Sequence, residues 1–134
     1  MPRPQPRFPE PDTQPFWDAT KEHKLTYQVC SNGHVIFYPR THCPTCGSMD
    51  TTTKESAGNG TVYTFSVVRL NRHPAFAPLG PYAVAYVDLD EGFRILTNIT
   101  GVADPVNDVK IGQRVKVAWD DQESGIALPL FTPA

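Results

Sequence analysis

Alternating apolar and polar residues predict short strands over most of the chain beyond residue 24. Residues 25–29 alternate with a period of two, and residues 35–38, an apolar run that Pro39 ends, are predicted to form the return strand. A polar, threonine-rich run follows at residues 51–55. The three runs predict a β-hairpin ribbon with one further strand.

The alternation resumes after a turn sequence, AGNG, at residues 57–60. In the first run beyond this turn, Tyr63, Phe65 and Val67 are expected on one face of a strand, with Thr64 and Ser66 on the other. Five short strands, with a long loop after the first, suit a Greek-key barrel of the OB type. The predicted strands are residues 61–70, 82–89, 93–100, 114–120 and 126–131.

The first 15 residues contain six prolines, which exclude a continuous helix and favour extended backbone. Asp12 and Thr13 are placed to cap a short helix that ends near His23. Phe16 and Trp17 are neighbouring aromatics on this helix, and their combined apolar surface is more than a small ribbon can cover. They either pack on the rest of the chain or contact a partner protein, and the sequence leaves both open.

Size and charge narrow the function classes. The chain has 134 residues, with 12 Lys and Arg against 14 Asp and Glu, so the formal net charge is −2 and the pI is near 6.0. The chain as a whole therefore lacks the excess of positive charge that is typical of proteins that bind polyanions. Residues 1–15 lack the apolar segment of a secretory signal, and residues 74–87 are too short and too rich in Pro and Gly to span a bilayer. We therefore expect a cytoplasmic protein.

The candidate chemistry lies in the ribbon. Cys43 and Cys46 are three positions apart and are followed by Gly47, which is free to take a positive φ; this is the spacing of a zinc knuckle. A closed structural zinc site needs four ligands, and the nearest upstream donors are Cys30 and His34. The predicted metal site is therefore Cys30, His34, Cys43 and Cys46, holding structural zinc.

Two other interpretations of these residues stay open. Asn32 and Gly33 stand where a second upstream cysteine would be expected, so the ribbon can keep its shape without metal. Cys43 and Cys46 also form a CxxC redox spacing, although no βαβ pattern surrounds them. His42 adjoins a predicted ligand and is expected to face solvent. The odd number of cysteines suits a reducing compartment better than a disulfide framework.

Seven short motifs follow one another along the chain: FW at 16–17, FYPR at 37–40, CPTCGS at 43–48, GNGTVY at 58–63, PYAVA at 81–85, DEG at 90–92 and IGQRVKV at 111–117. Their order resembles the zinc-ribbon and OB-fold proteins known as domain of unknown function 35. The resemblance covers nearly everything after the proline-rich tail. It implies a mainly β fold in three parts. The predicted parts are an arm and N-terminal helix at 1–24, a rubredoxin-like zinc ribbon at 25–57 and a C-terminal five-stranded OB-fold barrel at 58–134.

Members of this family resemble small partner subunits of thiolase-superfamily enzymes, including thiolases, acyltransferases and the sterol-carrier-type aldolases of steroid side-chain breakdown. The resemblance implies a non-catalytic accessory subunit of a hetero-oligomer, which stabilises a thiolase-like chain and helps to form its acyl-CoA site. The family's usual upstream CxxCG is replaced here by CSNGH at residues 30–34. The predicted partner contacts are Phe16, Trp17, Phe76 and Leu79, and the residues predicted near the acyl-CoA are Asn71, Arg72 and His73.

Two other functions were weighed against this one. Independent catalysis finds little support, because no Ser, Cys or carboxylate stands at motif spacing with a base and an orienting partner. A zinc-ribbon and OB module can also bind single-stranded nucleic acid, for which Arg69, Arg72 and Arg94 could converge. Only five lysines are spread over the chain, which argues against that alternative.

Overall fold

A three-stranded ribbon sheet lies beside a closed five-stranded barrel in the computed structural model, which describes residues 3–7 and 10–134. Each predicted strand is present, and its ends differ from the prediction by at most two residues. A short 3₁₀ turn at Ala77–Leu79 was not predicted. The elements are α1 Gln14–Thr20, β1 Thr26–Cys30, β2 Val35–Ile36, β3 Thr51–Glu55, β4 Asn59–Val68, β5 Tyr82–Leu89, β6 Arg94–Ile99, α2 Pro105–Asp108, β7 Arg114–Asp121 and β8 Ala127–Pro133.

Helix α1 is present where the sequence predicts it, but both of its ends differ from the prediction. Neither Asp12 nor Thr13 caps it through a side chain; the Thr13 hydroxyl instead donates to the Glu10 carbonyl at 3.1 Å. The helix ends at Thr20 because His23 takes a left-handed φ of 58°, and its N–H donates back to the Thr20 carbonyl at 2.9 Å.

The ribbon has the strand order β2-β1-β3. Strand β2 stops at Ile36, two residues before the predicted end. The reason is a side chain that takes over the pairing: the Gln28 amide accepts from the Arg40 N–H at 3.0 Å and donates to the Arg40 carbonyl at 3.1 Å. The chain from residue 37 to 40 thereby leaves the sheet and turns towards the barrel.

The barrel closes in the order β4-β5-β6-β8-β7. Strand β4 carries a bulge between Val62 and Thr64, where its register with β5 shifts. The predicted placement of Tyr63 on the face of Phe65 is therefore wrong: the extra residue turns the Tyr63 ring outward, where it is 45% exposed and lies under the Arg94 guanidinium. Val62 takes the inward position instead.

The ribbon and the barrel share one apolar core. Phe93 of the barrel stacks on Phe37 and on Tyr27 of the ribbon, with ring centroids 4.8 Å and 5.1 Å apart. Phe16 of α1 meets Phe37 edge-on at 5.8 Å. Offset and edge-on pairs of this kind add to the free energy gained from burial. The largest fully buried apolar side chains are Leu25, Val62, Val87, Val115 and Phe131.

Residues 3–7 of the proline-rich arm lie across the barrel. The Gln5 side chain donates to the Gln122 side chain at 3.0 Å and accepts from the Ser124 hydroxyl at 3.0 Å. Arg3 reaches the Asp120 carboxylate at 3.7 Å. The described part of the arm is thus tied to the β7–β8 hairpin. Among the described helices, none is long and apolar enough to cross a membrane.

Candidate functional site: the Cys/His cluster and its neighbouring surfaces

Two turns bring the predicted metal ligands together. Strand β1 ends at Cys30, and the Cys30 N–H donates to the His34 carbonyl at 3.0 Å across a turn in which Gly33 has a φ of 83°. The second turn holds Cys43, whose N–H donates to the Ser48 carbonyl at 2.8 Å. Each turn thus presents a cysteine at its start.

Gly47 closes the second turn. Its φ is 76°, which confirms the positive value predicted for the glycine of the knuckle, and its N–H donates to the Cys43 carbonyl at 2.8 Å. The turn places Cys46 on the solvent side, whereas Cys30 and Cys43 are buried.

The donor atoms of the cluster lie close enough together to ligate one metal ion. All four lie within 4.8 Å of one another. The Cys30 and Cys46 sulfurs are 3.8 Å apart, and the His34 Nδ1 lies 3.3 Å from the Cys30 sulfur and 3.7 Å from the Cys43 sulfur. Tetrahedral zinc would set sulfur–sulfur distances of about 3.8 Å and sulfur–nitrogen distances of about 3.6 Å. The Cys/His cluster is therefore compatible with structural zinc.

The surroundings of the cluster favour its thiolates unequally. The Asn32 side chain donates to the Cys46 sulfur at 3.3 Å. This bond first, and one from the Ser48 backbone second, lower the pKa of Cys46 to about 6, whereas burial raises the pKa of Cys30. Because a metal ligand must be a thiolate, Asn32 supports Cys46 as a ligand. In the sequence, Asn32 stands only where a second upstream cysteine would be expected, and no local pattern indicates this role.

His42 lies outside the cluster. Its Nδ1 is 3.0 Å from the Thr41 hydroxyl, and the side chain is exposed. The imidazole that lies beside the three cysteine sulfurs is that of His34.

The residues predicted near an acyl-CoA lie on the loop between β4 and β5. The Asn71 amide donates to the Tyr82 hydroxyl at 2.9 Å and accepts from the His73 N–H at 2.9 Å. The His73 Nδ1 in turn accepts from the Ala75 N–H at 3.1 Å. Asn71 and His73 therefore shape the loop, and Arg72 is exposed beside them.

The predicted partner contacts fall into two areas. Phe16 and Trp17, half-buried, line a groove beside α1, whereas Phe76 and Leu79 line a smaller pocket at the β4–β5 loop. Arg3 lines both and lies 5.9 Å from the centre of the Phe76 ring. The two areas thus share Arg3 of the arm as a lining residue.

The groove beside α1, which we call the seam groove, has a volume of about 420 Å³. It runs from Phe16, Trp17 and Tyr38 to Leu96 and Leu128, where β6 and β8 face each other. The sequence did not predict this groove. The only local signal was Pro129 inside a predicted strand, which indicates an edge.

The three arginines considered for nucleic-acid binding do not converge. Arg94 forms two bonds with the Asp88 carboxylate, at 2.6 Å and 3.2 Å, and Asp88 is registered opposite Thr61 at the start of β4. Arg69 and Arg72 follow the far end of that strand, about 20–25 Å away at the usual rise per residue. The basic surface that the nucleic-acid alternative would need is therefore not formed by these three arginines.

The ribbon with its Cys/His cluster and the closed barrel define a zinc-ribbon and OB-fold protein. Residues 17–51 match the family model described as the ChsH2 rubredoxin-like zinc ribbon domain, and residues 53–120 match the one described as the ChsH2 C-terminal OB-fold domain. A DUF35 domain-containing scaffold protein of Pyrococcus furiosus is 35% identical over 103 residues, which are 76% of this chain and 74% of that protein. The chain belongs to the DUF35 family.

Other similar proteins carry names of enzyme subunits. A probable enoyl-CoA hydratase alpha subunit of Thermomonospora curvata is 40% identical over 121 residues, and a 3-oxo-4,17-pregnadiene-20-carboxyl-CoA hydratase alpha subunit of Mycobacterium tuberculosis is 34% identical over 110 residues. The matches cover 89% and 82% of this chain but only 37% and 34% of those proteins.

Among solved structures, a chain of the Ltp2-ChsH2(DUF35) aldolase superposes with a TM-score of 0.84 and 36% identity, over 96% of this chain and 98% of that one. A DUF35 protein of unknown function from Sulfolobus solfataricus superposes with a TM-score of 0.67 and 16% identity, which supports the fold alone.

Proposed function

We propose that this chain is a non-catalytic accessory subunit of a thiolase-superfamily enzyme that acts on acyl-CoA. In this role it stabilises the catalytic chain and helps to form the acyl-CoA site. The partner is a sterol-carrier-type thiolase or aldolase, with steroid side-chain degradation as the favoured setting. The assembly is a hetero-oligomer.

One observation carries the proposal. The chain of the Ltp2-ChsH2(DUF35) aldolase that superposes on this one does so from end to end, with 36% identity. Two curated relatives are alpha subunits of CoA-ester hydratases, and others are called scaffold proteins. A subunit or scaffold role fits all of these names, whereas catalysis by this chain alone does not follow from any of them.

The surface of the chain also supports a partner. Leu79 is 48% exposed beside the half-buried Phe76, and Tyr38 is 56% exposed beside Trp17. Apolar surface of this kind is typical of the core of a protein–protein interface. Under this proposal Phe16, Trp17, Phe76 and Leu79 contact the thiolase-like chain. Asn71, Arg72 and His73 stand near the acyl-CoA, with Arg72 supplying a cation for its phosphates.

The experiment is co-expression of this chain with a thiolase-like chain from the same genome, followed by size-exclusion chromatography with light scattering. We expect one stoichiometric complex, and we expect the thiolase-like chain to be soluble only when this chain is co-expressed with it. The double variant Trp17→Ala, Phe76→Asp should abolish the complex while circular dichroism shows an unchanged barrel. Ile111→Asp, at a residue 69% exposed on the turn before β7, is the matched control and should leave the complex intact.

Separate elution of the two chains, with the large chain soluble by itself, would reject the proposed function. A complex that survives the double variant would keep the function and remove Trp17 and Phe76 from the interface. Screens for single-stranded nucleic acid and for CoA would follow only from the first result.

A further inference from the structure

The seam groove exists because the barrel is barely closed on one side. Strands β6 and β8 run parallel and are registered only at Ile99 and Phe131. Towards the start of β6 the two strands part, and no residue of β8 is registered opposite Leu96. The groove lies over this gap, with Leu96 on one side and Leu128 on the other.

The gap leaves one edge of β6 without a strand partner. The Leu89 N–H donates to the Phe93 carbonyl at 2.8 Å at the hairpin, and the hydrogen-bonded positions of an antiparallel pair alternate from there. Ile95 and Thr97 therefore direct their backbone groups towards β5, and Leu96 directs its N–H and carbonyl towards the gap. An edge of this kind is a template for another extended segment.

Strand β8 is unable to fill that edge itself. Pro129 stands in β8 opposite the gap and has no N–H to donate. The Pro129 carbonyl accepts from the Thr97 hydroxyl at 2.8 Å, which is a bond from a side chain and not from the β6 backbone. Strand β8 therefore has no residue registered with Leu96, whose backbone groups can pair with another extended segment.

The charges around the groove are of one sign. Arg40 and Arg3 line it, and no carboxylate does. Arg3 at the arm is paired with Asp120, whereas the exposed Arg40 guanidinium has no ion-pair partner among residues 3–7 and 10–134. The Arg40 end of the groove is therefore the end that favours an acidic side chain.

We propose that the seam groove binds an extended segment of the partner protein, which adds a strand to β6 at Leu96, places alternate apolar side chains against Trp17 and Leu128, and sets a carboxylate at Arg40. The proposal rests on the proposed function for the existence of a partner chain. It goes further by naming the mode of binding and the chemistry of the bound segment, which is extended, apolar on one face and acidic at one end.

Amide hydrogen exchange in the complete complex with the co-expressed thiolase-like chain tests the backbone contact. The Leu96 N–H is expected to exchange at least about tenfold more slowly in the complex than in the free chain, since one added hydrogen bond of about 1.4 kcal/mol corresponds to that factor. The Thr97 N–H, which already faces β5, is the internal control and should change little. A complex in which Leu96 exchanges as fast as in the free chain would overturn the strand addition and leave the proposed function standing.

A charge pair of variants tests the chemistry of the segment. Arg40 is exposed and only its backbone is bonded to Gln28, so Arg40→Glu and Arg40→Gln are both expected to fold. If the segment sets a carboxylate at Arg40, Arg40→Glu should weaken the complex by about tenfold more than Arg40→Gln, because like charges repel across an interface. Ile111→Glu, far from the groove, should change the affinity less than twofold. Equal effects of Glu and Gln at Arg40 would overturn the acidic assignment.

A peptide probe makes the test independent of any one partner. The probe is a peptide of about eight residues, the length of an ordinary strand, with Val or Leu at alternate positions and Glu at one end. Its addition to the ¹⁵N-labelled chain should shift the Leu96 and Arg40 signals saturably, and N-methylation of its alternate amides should weaken binding about tenfold. If neither the peptide nor a thiolase-like chain perturbs Leu96, the groove is not a strand-binding site.

Discussion

Thr20 connects helix α1 to the barrel through a single hydroxyl. It is fully buried, donates to the Trp17 carbonyl at 2.6 Å and accepts from the Ala127 N–H at 3.2 Å. Ala127 opens β8, so this hydroxyl fixes the helix against the strand that borders the seam groove. The position of Trp17 at the groove therefore depends on the hydroxyl of Thr20.

Thr20→Val tests this connection. Valine keeps the shape but leaves the buried Ala127 N–H without an acceptor, so we expect a loss of about 1–3 kcal/mol in the free energy of unfolding, measured in urea. Thr20→Ser keeps the hydroxyl and should lose about 1 kcal/mol for the missing methyl. If valine proves no worse than serine, the hydrogen bond contributes nothing.

Asp90 forms a second connection at the residue scale. Arg114 donates to both of its carboxylate oxygens at 2.8 Å, and this pair lowers the pKa of Asp90. Since the folded pKa lies below the unfolded one, the stabilisation is present above the unfolded pKa of about 3.9 and is lost as the pH falls through the folded pKa.

Asp90→Asn should therefore be less stable than the natural chain at pH 7 and should approach its stability as the pH falls below about 4. Thermal unfolding between pH 7 and pH 2 measures the difference. Arg114→Gln removes the other partner, and the double variant should lose no more than either single one. A constant difference between Asp90→Asn and the natural chain across this range would show that the ion pair is not its cause.

At the scale of elements, the two turns of the ribbon that carry the Cys/His cluster have little apolar packing of their own. Strand β2 has two residues, and the small buried cluster around the site contains Cys30, Ile36 and Cys43. Little apolar area is buried there, so a bound metal is expected to supply much of the stability of the two turns.

His34→Ala should remove one of four ligands and lower zinc affinity at least about 100-fold, a quarter of the apparent binding free energy of such a site. Metal analysis of the purified chain, and chelator titration followed by circular dichroism, provide the measurement. His42→Ala is the matched control and should keep its zinc. Full zinc content in His34→Ala would show that another group, and not His34, is the fourth ligand.

At the scale of the whole molecule, a short linker sets the ribbon against the barrel. The Glu91 carboxylate accepts from the Ser56 hydroxyl at 2.7 Å and from the Ala57 N–H at 2.9 Å. Gly58 follows with a φ of 79°, and a Cβ there would lie 2.4 Å from Val117 Cγ1 of β7. The hairpin between β5 and β6 and strand β7 thus hold the linker from two sides.

Gly58→Ala should lower the stability of the whole chain by about 3 kcal/mol or more, because it adds an overlap in the core to the cost of a left-handed φ. Gly112→Ala is the matched control: its φ is 82° and nothing lies within 4 Å, so only the backbone cost of about 1–2 kcal/mol is expected. Equal losses of stability in the two variants would show that the Val117 side chain moves aside at little cost. Denaturant unfolding measures both.

The sequence by itself determined the strands, the knuckle and the family. Alternation is a local property, so the strand runs were predicted to within two residues at each end, and the CPTCG spacing indicated the positive φ of Gly47. The four clustered ligands were also foreseen, since two short turns can bring few other donors together. What failed locally was the bulge at Tyr63 and the side-chain cap of α1, because each depends on contacts with distant parts of the chain.

Only the tertiary structure decided which surfaces lie together. Leu96 and Leu128 are 32 positions apart in the sequence, and they border one groove because β6 and β8 meet in parallel and then part. Arg69 and Arg94 were separated by the length of β4, a distance that composition does not encode. The hydrophobic period and the motif spacing along the sequence indicate local conformation. The order in which the strands pair is set by the packing of the complete core.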